Sequence, residues 1–474
     1  MNKSILTGKK HIHFIGIGGS GMYPLAQILH TKGFYLTGSD NNETDTLQAV
    51  RNMGIPVTLG QKAENVEGAD LIVHTAAIMA DNPELIAAKA SGVPVLERSE
   101  LLGIVSSWFS DAVCVTGTHG KTTTTSMLTQ ILVENGLDIS AVIGGKLPII
   151  HGSGCVGTSD IFVCESCEFM DHFLKLYPDT AVILNIDADH LDYFGTIENI
   201  IKSFHQFCEM ASESVIYNGD DANTLKAIEG ISGKEMISFG YGEQNQYRAV
   251  HVKHDSRAGA SFTVLKDGQE LGNIALQVPG EHNVLNALSA VAVCDKRGLT
   301  FEQIKNGLEH FRGAGRRFEI KGVVNGVTIA DDYAHHPTEL TATLKAAKEM
   351  DYKRVWAVFQ PFTFSRTVQH LQEFADALSI ADIAVLTDIM GSREKNTYGI
   401  YTRNLAEIME NAVYFPEDET AEYTDERKYQ NFDDVCQYVV EHVQDGDLVL
   451  TMGCGDVNKV AKMILDKLNE RVVK

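Results

Sequence analysis

Two glycines, a lysine and several threonines stand close together between residues 116 and 124, where the sequence reads Thr-Gly-Thr-His-Gly-Lys-Thr-Thr-Thr. Glycines allow the backbone to turn its N–H groups onto an anion, and Lys121 can then reach the terminal phosphates of a nucleotide. The hydroxyl of Thr122 is placed to contact Mg²⁺. The stretch predicts a phosphate-binding loop, shortened because Val115 stands where the usual motif has its first glycine. The predicted nucleotide contacts are Gly117, Thr118, His119, Gly120, Lys121, Thr122 and Thr123.

The segments on either side of this loop have the patterns that it requires. An apolar run before it predicts a strand, and Met127, Leu128, Ile131 and Leu132 share one face of a predicted helix after it. A chance Gly-Lys-Thr in an ordinary loop is the alternative. The strand and the helix in the required places favour nucleotide binding.

Two further polar residues follow apolar strands of the same predicted sheet. Glu165 comes after a strand at 161–164, and His190 lies beyond a strand at 181–185. A carboxylate suits Mg²⁺, which prefers oxygen ligands, and a neutral imidazole can complete a second metal site. Both residues could instead be capping or surface residues, but their position after strands of the nucleotide-binding sheet favours metal ligation.

Cys164 and Cys167 form a lone C-x-x-C, with Cys155 and His172 nearby in the sequence. A zinc site would need a second spaced pair, which is absent, and Cys164 should lie within a strand. Buried small apolar side chains are the better interpretation of these cysteines.

A second glycine pattern, Gly16, Gly18 and Gly21, follows a short apolar strand near the start of the chain, and Asp40 comes about twenty residues later. This spacing predicts a Rossmann-like turn that binds a diphosphate, and it indicates a diphosphate more securely than it indicates NAD. His74 ends a further predicted strand, where open α/β sheets bind ligands. A core or capping role for His74 is nearly as well supported.

Polar groups are also concentrated at two chain reversals in the last third of the sequence. Residues 331–337 follow a predicted hairpin turn at 325–326, and residues 359–367 follow a predicted strand. Arg366 can fork onto a carboxylate or phosphate, and Arg316 or Arg317 onto developing phosphoryl charge. Exposed arginines that only aid solubility are the alternative.

Strands and helices alternate through most of the chain, which predicts an α/β protein. We expect a Rossmann-like domain at 1–109, a central P-loop ATPase domain with a mostly parallel sheet at 110–312, and a C-terminal Rossmann-like α/β domain at 313–474. Residues 246–278 alternate between apolar and polar side chains. This pattern predicts an excursion of antiparallel strands, with turns at 257–259 and 267–268. Near the start we expect a helix at 22–32 and a strand at 34–37.

The charge balance excludes one class of partner. The 474 residues include 40 basic and 63 acidic ones, giving a net charge of −23. Nucleic acid is therefore not an expected partner, and an anionic ligand must be held by a locally positive site. The absence of a long apolar run or a signal-peptide pattern predicts a cytoplasmic protein without membrane insertion. Eight scattered cysteines suit a reducing compartment.

Six motifs together resemble those of the Mur ligases. They occur in the family's order from residue 11 to beyond residue 366, so the resemblance covers nearly the whole chain. The motifs are Gly-Ile-Gly-Gly-Ser-Gly-Met at 16–22, Thr-Gly-Thr-His-Gly-Lys-Thr-Thr at 116–123, Asp-Ala-Asp-His-Leu-Asp at 187–192, Gly-Glu-His-Asn-Val-Leu-Asn-Ala at 280–287, Gly-Arg-Arg-Phe-Glu at 315–319 and Asp-Asp-Tyr-Ala-His-His-Pro-Thr-Glu at 331–339.

The resemblance implies an ATP-dependent ligase that uses Mg²⁺, and the chain is most similar to the branch that joins L-alanine to UDP-N-acetylmuramate. The first domain would bind the UDP-sugar, the central domain ATP, and the last domain the amino acid. The sugar's lactyl carboxylate would attack the γ-phosphate to give an acyl phosphate, which the amine of alanine would then displace. Closure of the last domain would exclude water from this labile intermediate. A monomer and a homodimer are both compatible with the resemblance.

Matching to the family also implies roles for individual residues. Lys121, Glu165, His190 and Arg317 would be catalytic, with Thr122, Glu165 and His190 around the metal ions. The UDP-sugar would contact Gly16, Gly18, Gly19, Ser20, Gly21, Asp40 and His74. In addition to the loop residues, ATP would contact His282, Asn283, Asn286, Arg317 and Asp332. The amino acid would contact His336 and Arg366.

The chain departs from the family pattern in two places. Phe362 stands where related sequences commonly have a histidine, which puts a polar role there in doubt. Several relatives carry a carbamylated lysine after the motif around His190, and no lysine here matches it, although Lys202 is near.

Three other functions remain open at this point. They are a family member that attaches a recycled tripeptide to the same sugar, a nucleotide-binding regulator that ligates nothing, and a dehydrogenase.

Overall fold

A computed structural model of the chain describes residues 5–255, 259–392, 394–415 and 425–473. The chain divides into two compact units. The first comprises residues 1–252, 262–274 and 284–314, and the second comprises residues 253–261, 275–283 and 315–474. Three sheets, each covered by helices, make up an α/β fold, as the alternation of strands and helices predicts.

The first sheet is parallel throughout. Its strand order is β3-β2-β1-β4-β5. The central strands β1 and β4 are mostly buried and largely apolar, as expected for parallel strands covered on both faces. The strands are β1 (His11–Ile15), β2 (Tyr35–Asp40), β3 (Val57–Leu59), β4 (Leu71–His74) and β5 (Val95–Glu97), and the helices are α1 (Tyr23–Thr31), α2 (Asp45–Asn52), α3 (Pro83–Ala90) and α4 (Arg98–Ser106).

The second sheet has ten strands in the order β15-β14-β13-β12-β11-β10-β6-β9-β7-β8. Strand β6 lies between β9 and β10 and is parallel to both, so the segments that follow these three strands meet at one edge. The strands are β6 (Asp111–Thr116), β7 (Ser140–Leu147), β8 (Gly152–Cys155), β9 (Ile161–Glu165), β10 (Thr180–Ile183), β11 (Ser214–Asn218), β12 (Glu235–Gly240), β13 (Tyr247–Asp255), β14 (Gly259–Lys266) and β15 (Gln269–Ala275). The helices are α5 (Lys121–Glu134), α6 (Leu191–Phe194), α7 (Ile197–Met210), α8 (Ala222–Ile228), α9 (His282–Lys296) and α10 (Phe301–His310).

The third sheet has the order β16-β17-β21-β18-β19-β20, and only its first pair is antiparallel. That pair is the hairpin predicted around 325–326. The strands are β16 (Glu319–Val324), β17 (Val327–Asp332), β18 (Arg354–Phe359), β19 (Ile383–Leu386), β20 (Ala412–Tyr414) and β21 (Asp447–Met452), and the helices are α11 (Pro337–Lys348), α12 (Phe364–Gln369), α13 (Leu371–Leu378), α14 (Thr402–Ala406), α15 (Asp425–His442) and α16 (Asn458–Val473).

Several predicted boundaries were wrong by a few residues. Strand β2 runs through Asp40 rather than ending at residue 37, because Gly38, Ser39 and Asp40 pair with β3. Strand β10 ends at Ile183 rather than at residue 185. Helix α1 begins at Tyr23, one residue later than predicted. The excursion at 246–278 is present as β13, β14 and β15. Arg257 and Ala258, in its first predicted turn, lie outside the described residues.

Many helix starts are set by side-chain caps. Thr44, Thr196 and Thr300 each accept a hydrogen bond from a backbone N–H three residues ahead. Helix α5 is different, because it begins after Gly120 and has no side-chain cap. An N-terminus of this kind, with its partial positive charge, suits an anion.

A buried polar cluster joins three elements of the first sheet's layer. Glu84, on α3, has no exposed surface, and its carboxylate lies 2.6 Å from Nε2 of His13 and accepts a hydrogen bond of 2.7 Å from Ser39 Oγ. His13 in turn contacts Thr37 Oγ1 at 2.7 Å. Because water cannot replace a missing partner here, the cluster specifies how α3 docks on β1 and β2.

Glu84→Ala should lower the free energy of unfolding by about 3–5 kcal/mol, because it leaves His13 and Ser39 buried without their acceptor. Differential scanning calorimetry of the full chain should show the lowest-temperature transition moving down. The matched control is Glu64→Ala at an exposed site, which should shift unfolding by less than about 0.5 kcal/mol. Equal effects of the two substitutions would contradict a structural role for the cluster.

Candidate active site

The predicted phosphate-binding loop connects β6 to α5. Gly120 precedes the helix with φ of 87°, a left-handed conformation that suits glycine. A Cβ at this position would lie 2.5 Å from Oδ1 of Asn286, so the bare glycine lets α9 approach the loop closely. Asn286, predicted to meet the nucleotide, therefore lies directly against the phosphate loop.

Residues after β10 hold the loop in shape. Asn185 accepts a hydrogen bond of 2.8 Å from His119 N through its side chain and donates one of 3.1 Å back to His119 O. Its own carbonyl accepts from Thr118 N at 3.1 Å. Asp187 donates its backbone N–H to Thr118 Oγ1 at 2.8 Å, and its carboxylate lies 3.2 Å from Nε2 of His119.

Sequence reasoning did not identify Asn185 as a functional residue. A polar residue close after an apolar strand beside the loop strand is the signal that points to it. Recognising that signal requires knowing that β10 neighbours β6.

Lys121 is folded back onto its own loop. Its ammonium donates to the carbonyls of Gly117 at 2.5 Å and Thr118 at 2.9 Å, and it forms an ion pair of 2.9 Å with Glu168. Burial alone would lower the pKa of Lys121, but the charge and hydrogen bond of Glu168, together with the charges of Cys167 and Glu165, raise it to about 12. The lysine is therefore a cation at any physiological pH. Glu168, which is only 3% exposed, is a second residue that sequence reasoning missed.

Glu165 and Thr122 form a cluster of oxygen atoms at the start of α5. Thr122 Oγ1 donates to Glu165 Oε2 at 2.8 Å, and Gly144 N donates to the same oxygen at 2.7 Å. A Cβ at Gly144 would lie 2.5 Å from a carboxylate oxygen of Glu165 and 2.9 Å from Thr122 Oγ1, so this glycine leaves the oxygens accessible. A carboxylate and a hydroxyl at this spacing fit a hard divalent cation such as Mg²⁺.

His190 lies in the segment between β10 and α6, with φ of 53°. Its ring lies against Phe169, with 4.5 Å between ring centres, and its Nε2 is 3.7 Å from a carboxylate oxygen of Asp189. The side chain is 22% exposed. His190 is therefore positioned by an aromatic contact and an acidic neighbour after the strand next to β6.

The glycine turn of the first sheet follows β1. Gly18 N donates to Asp40 Oδ2 at 3.0 Å, so Asp40 fastens the turn itself. Gly16 is buried beside Thr75, and Gly19, Ser20 and Gly21 are at least partly exposed. His74 ends β4, two strands from β2, and its Nδ1 lies 3.0 Å from Thr75 O.

The two neighbouring arginines, Arg316 and Arg317, lie in the second compact unit. Arg316 donates to Asp331 at 3.0 Å and to loop carbonyls including Gly455 O at 3.2 Å, which commits it to holding the loop after β21. Both arginines lie over the ring of Tyr333, with the guanidinium carbons of Arg316 and Arg317 4.9 Å and 5.0 Å from its centre. The charge of Arg317 also acts on the carboxyl of Asp332.

Asp332 is 6% exposed and accepts from Phe318 N and Ala334 N, both at 2.8 Å. Burial raises the pKa of its carboxyl, against the opposing charge of Arg317.

The predicted amino-acid contacts also lie in this unit. His336 is 5% exposed and caps α11, where its Nδ1 accepts from Thr338 N at 3.3 Å. Arg366 lies on α12, which follows β18. Phe362 lies edge-on to His335, with 6.5 Å between ring centres, so an aromatic contact occupies the position where the family resemblance led us to expect a histidine.

His282 and Asn283 begin α9. The His282 ring covers Gly280, where a Cβ would lie 2.4 Å from Cε1 of the ring. Asn283 is 7% exposed and donates to Pro279 O at 2.6 Å.

All eight cysteines are free thiols. Cys114 and Cys164 face each other across β6 and β9 with their sulfur atoms 3.5 Å apart, and both are buried. Burial raises the pKa of Cys155 and of Cys167 to about 11. Among the described residues, no helix combines the length and the apolar character needed to cross a membrane.

Family comparisons match three consecutive segments of the chain. Residues 11–109 match the Mur ligase family catalytic domain, residues 115–294 the Mur ligase middle domain, and residues 316–455 the Mur ligase glutamate ligase domain.

Two curated relatives are each 44% identical to this chain and are named UDP-N-acetylmuramate–L-alanine ligase. For the protein of Acetivibrio thermocellus the match covers 96% of both chains, and for that of Agathobacter rectalis it covers 96% of this chain and 98% of the relative.

Two solved structures are also similar to this chain over nearly its whole length. The UDP-N-acetylmuramate–alanine ligase of Thermotoga maritima is 27% identical, with a TM-score of 0.80 over 98% of this chain and all of that one. The murein peptide ligase of Psychrobacter arcticus is 25% identical, with a TM-score of 0.72 over 97% of this chain and 98% of that one. With three matching domains, relatives of 44% identity along nearly its whole length and a shared three-domain α/β fold, the chain belongs to the Mur ligase family.

Proposed function

We propose that this protein joins L-alanine to the lactyl carboxylate of UDP-N-acetylmuramate and converts ATP to ADP and phosphate. The observation that carries the proposal is the arrangement at one sheet edge of a phosphate loop, its lysine, and a paired carboxylate and hydroxyl. The activity named for the relatives that match nearly the whole chain supports these substrates. The eight free cysteines support an enzyme of the cytoplasm, where its nucleotide substrates are made.

The reaction has two steps. A lactyl carboxylate oxygen attacks the γ-phosphorus of ATP, and the bond from that phosphorus to the bridging oxygen breaks, which releases ADP and leaves an acyl phosphate. The amine of alanine then attacks the acyl carbon, inorganic phosphate leaves, and the nitrogen loses a proton to give the amide. Most of the catalysis in such a transfer is positioning and stabilisation of charge.

Lys121 supplies positive charge to the transferred phosphoryl group. In the absence of nucleotide its ammonium is held by two loop carbonyls and by Glu168. A terminal phosphate that replaces these acceptors keeps the lysine charged and in place. The uncapped N–H groups at the start of α5 add further donors.

Mg²⁺ fits the oxygen atoms of Thr122 and Glu165, and His190 is the third proposed ligand. When bound, the ion neutralises charge on the phosphates. Glu165 is already oriented by Gly144 N, so its carboxylate does not have to be ordered when the ion arrives.

The remaining roles are assigned by domain. We place the UDP diphosphate at the glycine turn of the first sheet, with Asp40 fastening that turn and His74 nearby. The nucleotide contacts are His282, Asn283, Asn286, Arg317 and Asp332, and the amino-acid contacts are His336 and Arg366. Arg317, the arginine that the family match names, would stabilise phosphoryl charge, and Arg316 holds the loop after β21 through its carbonyls.

A tripeptide as the acceptor is the second candidate, and the similarity to the murein peptide ligase structure favours it. The greater identity to curated relatives named as alanine ligases favours alanine. The two candidates share the first step and differ only in the amine. Purified protein supplied with Mg-ATP, UDP-N-acetylmuramate and either amine separates them by phosphate release.

Isotope transfer should reveal the acyl phosphate. With ¹⁸O in the lactyl carboxylate of UDP-N-acetylmuramate, and with alanine present, one labelled oxygen should appear in each phosphate released, because the carboxylate oxygen leaves with phosphorus. Mass spectrometry of the phosphate provides the measurement. Phosphate without label during full turnover would contradict activation of the carboxylate.

Lys121→Ala should reduce kcat by about 10³-fold or more, because phosphoryl charge loses its cation. It should also destabilise the fold, because Glu168 is left buried without its partner. The double variant Lys121→Ala/Glu168→Gln should recover thermal stability but not turnover. If turnover recovered together with stability, the lysine would be structural only.

Glu165→Gln should raise the Mg²⁺ concentration needed for half-maximal turnover by about tenfold or more. The amide keeps one oxygen for Thr122 or Gly144, so the fold should be retained. Glu134→Gln, at the far end of α5, is the matched control and should leave the requirement unchanged. An unchanged Mg²⁺ requirement for Glu165→Gln would remove Glu165 from the metal site.

A further inference from the structure

Arg98 directly follows β5 and is the first residue of α4. Because β1, β4 and β5 are neighbouring parallel strands, Arg98 lies at the same edge of the first sheet as the glycine turn that follows β1. None of the motifs considered above includes it. Its position therefore places a cation at the ligand-binding edge of this sheet.

The side chain of Arg98 lies along the glycine turn. A Cβ added to Gly21 would be 3.0 Å from Cδ, 3.2 Å from Nη1 and 3.4 Å from Nε of Arg98. A larger residue at position 21 would thus displace the guanidinium. The absence of a side chain at Gly21 allows the arginine to approach the turn.

Local structure does not explain this cation. Arg98 is half-buried, and within the described part of the chain its guanidinium makes no hydrogen bond or ion pair. The adjacent Glu97 is the N-cap of α4, where its side chain accepts from Ser99 N, and it also pairs with His172 at 3.1 Å. A positive charge in the first turn of a helix is also unfavourable, because the helix N-terminus carries partial positive charge. An anionic ligand would remove both disadvantages.

The other side of Arg98 faces the central domain. Both of its neighbours in the sequence contact that domain, because Glu97 pairs with His172 at 3.1 Å and Ser99 Oγ accepts a hydrogen bond of 2.7 Å from Lys175 Nζ. The glycine turn is also tied to the central domain, because Ser153 Oγ donates to Ser20 O at 2.9 Å.

We propose that Arg98 binds one phosphate of the UDP-sugar, the phosphate to which the sugar is attached. In this way it directs the sugar toward Lys121. This inference rests on the proposed function, because a lactyl carboxylate must reach the terminal phosphate of ATP beside Lys121. A diphosphate at the glycine turn has one phosphate on the uridine side and one on the sugar side. Arg98 lies on the side of the central domain, where the sugar must be.

Isothermal titration of the full-length protein with UDP and with UMP tests the proposal, since UMP lacks the second phosphate. Arg98→Ala should weaken UDP binding by at least tenfold and change UMP binding by less than twofold. Arg98→Lys should retain part of the affinity for UDP. Arg51→Ala is the matched control on the first domain, where Arg51 pairs with Glu43 on the surface, and it should change neither affinity.

Steady-state kinetics provide a second readout. Arg98→Ala should raise the KM for UDP-N-acetylmuramate by at least tenfold while the KM for ATP stays within twofold. If Arg98→Ala does not fold, Arg98→Gln keeps the side-chain stem beside Gly21 and serves in the same comparisons.

Unchanged UDP binding, or equal weakening of UDP and UMP, would overturn the proposal. A wild-type protein that binds UDP but does not turn over the UDP-sugar would overturn the ligase function while the titrations still decide the role of Arg98. A wild-type protein that binds no UDP would overturn both.

Discussion

The site depends on the parallel pairing of β6 with β9 on one side and β10 on the other. The register sets Val115 opposite Glu165 and Thr116 opposite Ile183, so the segments that follow the three strands begin at the same level. A slip of one residue would turn the side chain of Glu165 to the opposite face of the sheet. Strand pairing deep in the sheet thus determines which polar groups meet at its edge.

A glycine-containing loop does not hold its own shape, because glycine loses more conformational freedom on ordering than other residues do. Here the side chain of Asn185 bonds to both the N–H and the carbonyl of His119, and its backbone bonds to Thr118. The loop is therefore ordered before a ligand arrives. The entropic cost of ordering the loop is therefore met when the protein folds, and it does not reduce the affinity for nucleotide.

Local charge is the second constraint, because the protein carries a net charge of −23 and its proposed substrates are anions. The local charge is arranged differently at the two proposed phosphate sites. At the loop, Lys121 is buried with Glu168, whose carboxylate balances the cation until phosphate replaces it. At the glycine turn, Arg98 is half-buried beside Gly21, with no balancing carboxylate among the described residues. The first arrangement is stable without a ligand, and the second gains its partner when a ligand binds.

The sequence alone determined the features that depend on neighbours along the chain. The loop at 117–123, the strands β4 and β18, the glycine turn and the hairpin around 325–326 follow from local alternation, helical periodicity and turn residues. The ends of β2 and β10 were misplaced, because pairing with an adjacent strand decides where a strand ends. The family motifs likewise named candidate residues without showing which of them touch.

Only the tertiary structure decided the contacts between distant segments. Lys121 and Glu168 are 47 residues apart, and His119 and Asn185 are 66 apart, yet each pair is in hydrogen-bond contact. The side chain of Arg316 likewise donates to a loop carbonyl 139 residues beyond it. The physical reason is that a local pattern records which face of a strand or helix is buried but not which strands become neighbours. The partners of Lys121 and His119, and the approach of Arg98 to Gly21, are set by that order of strands.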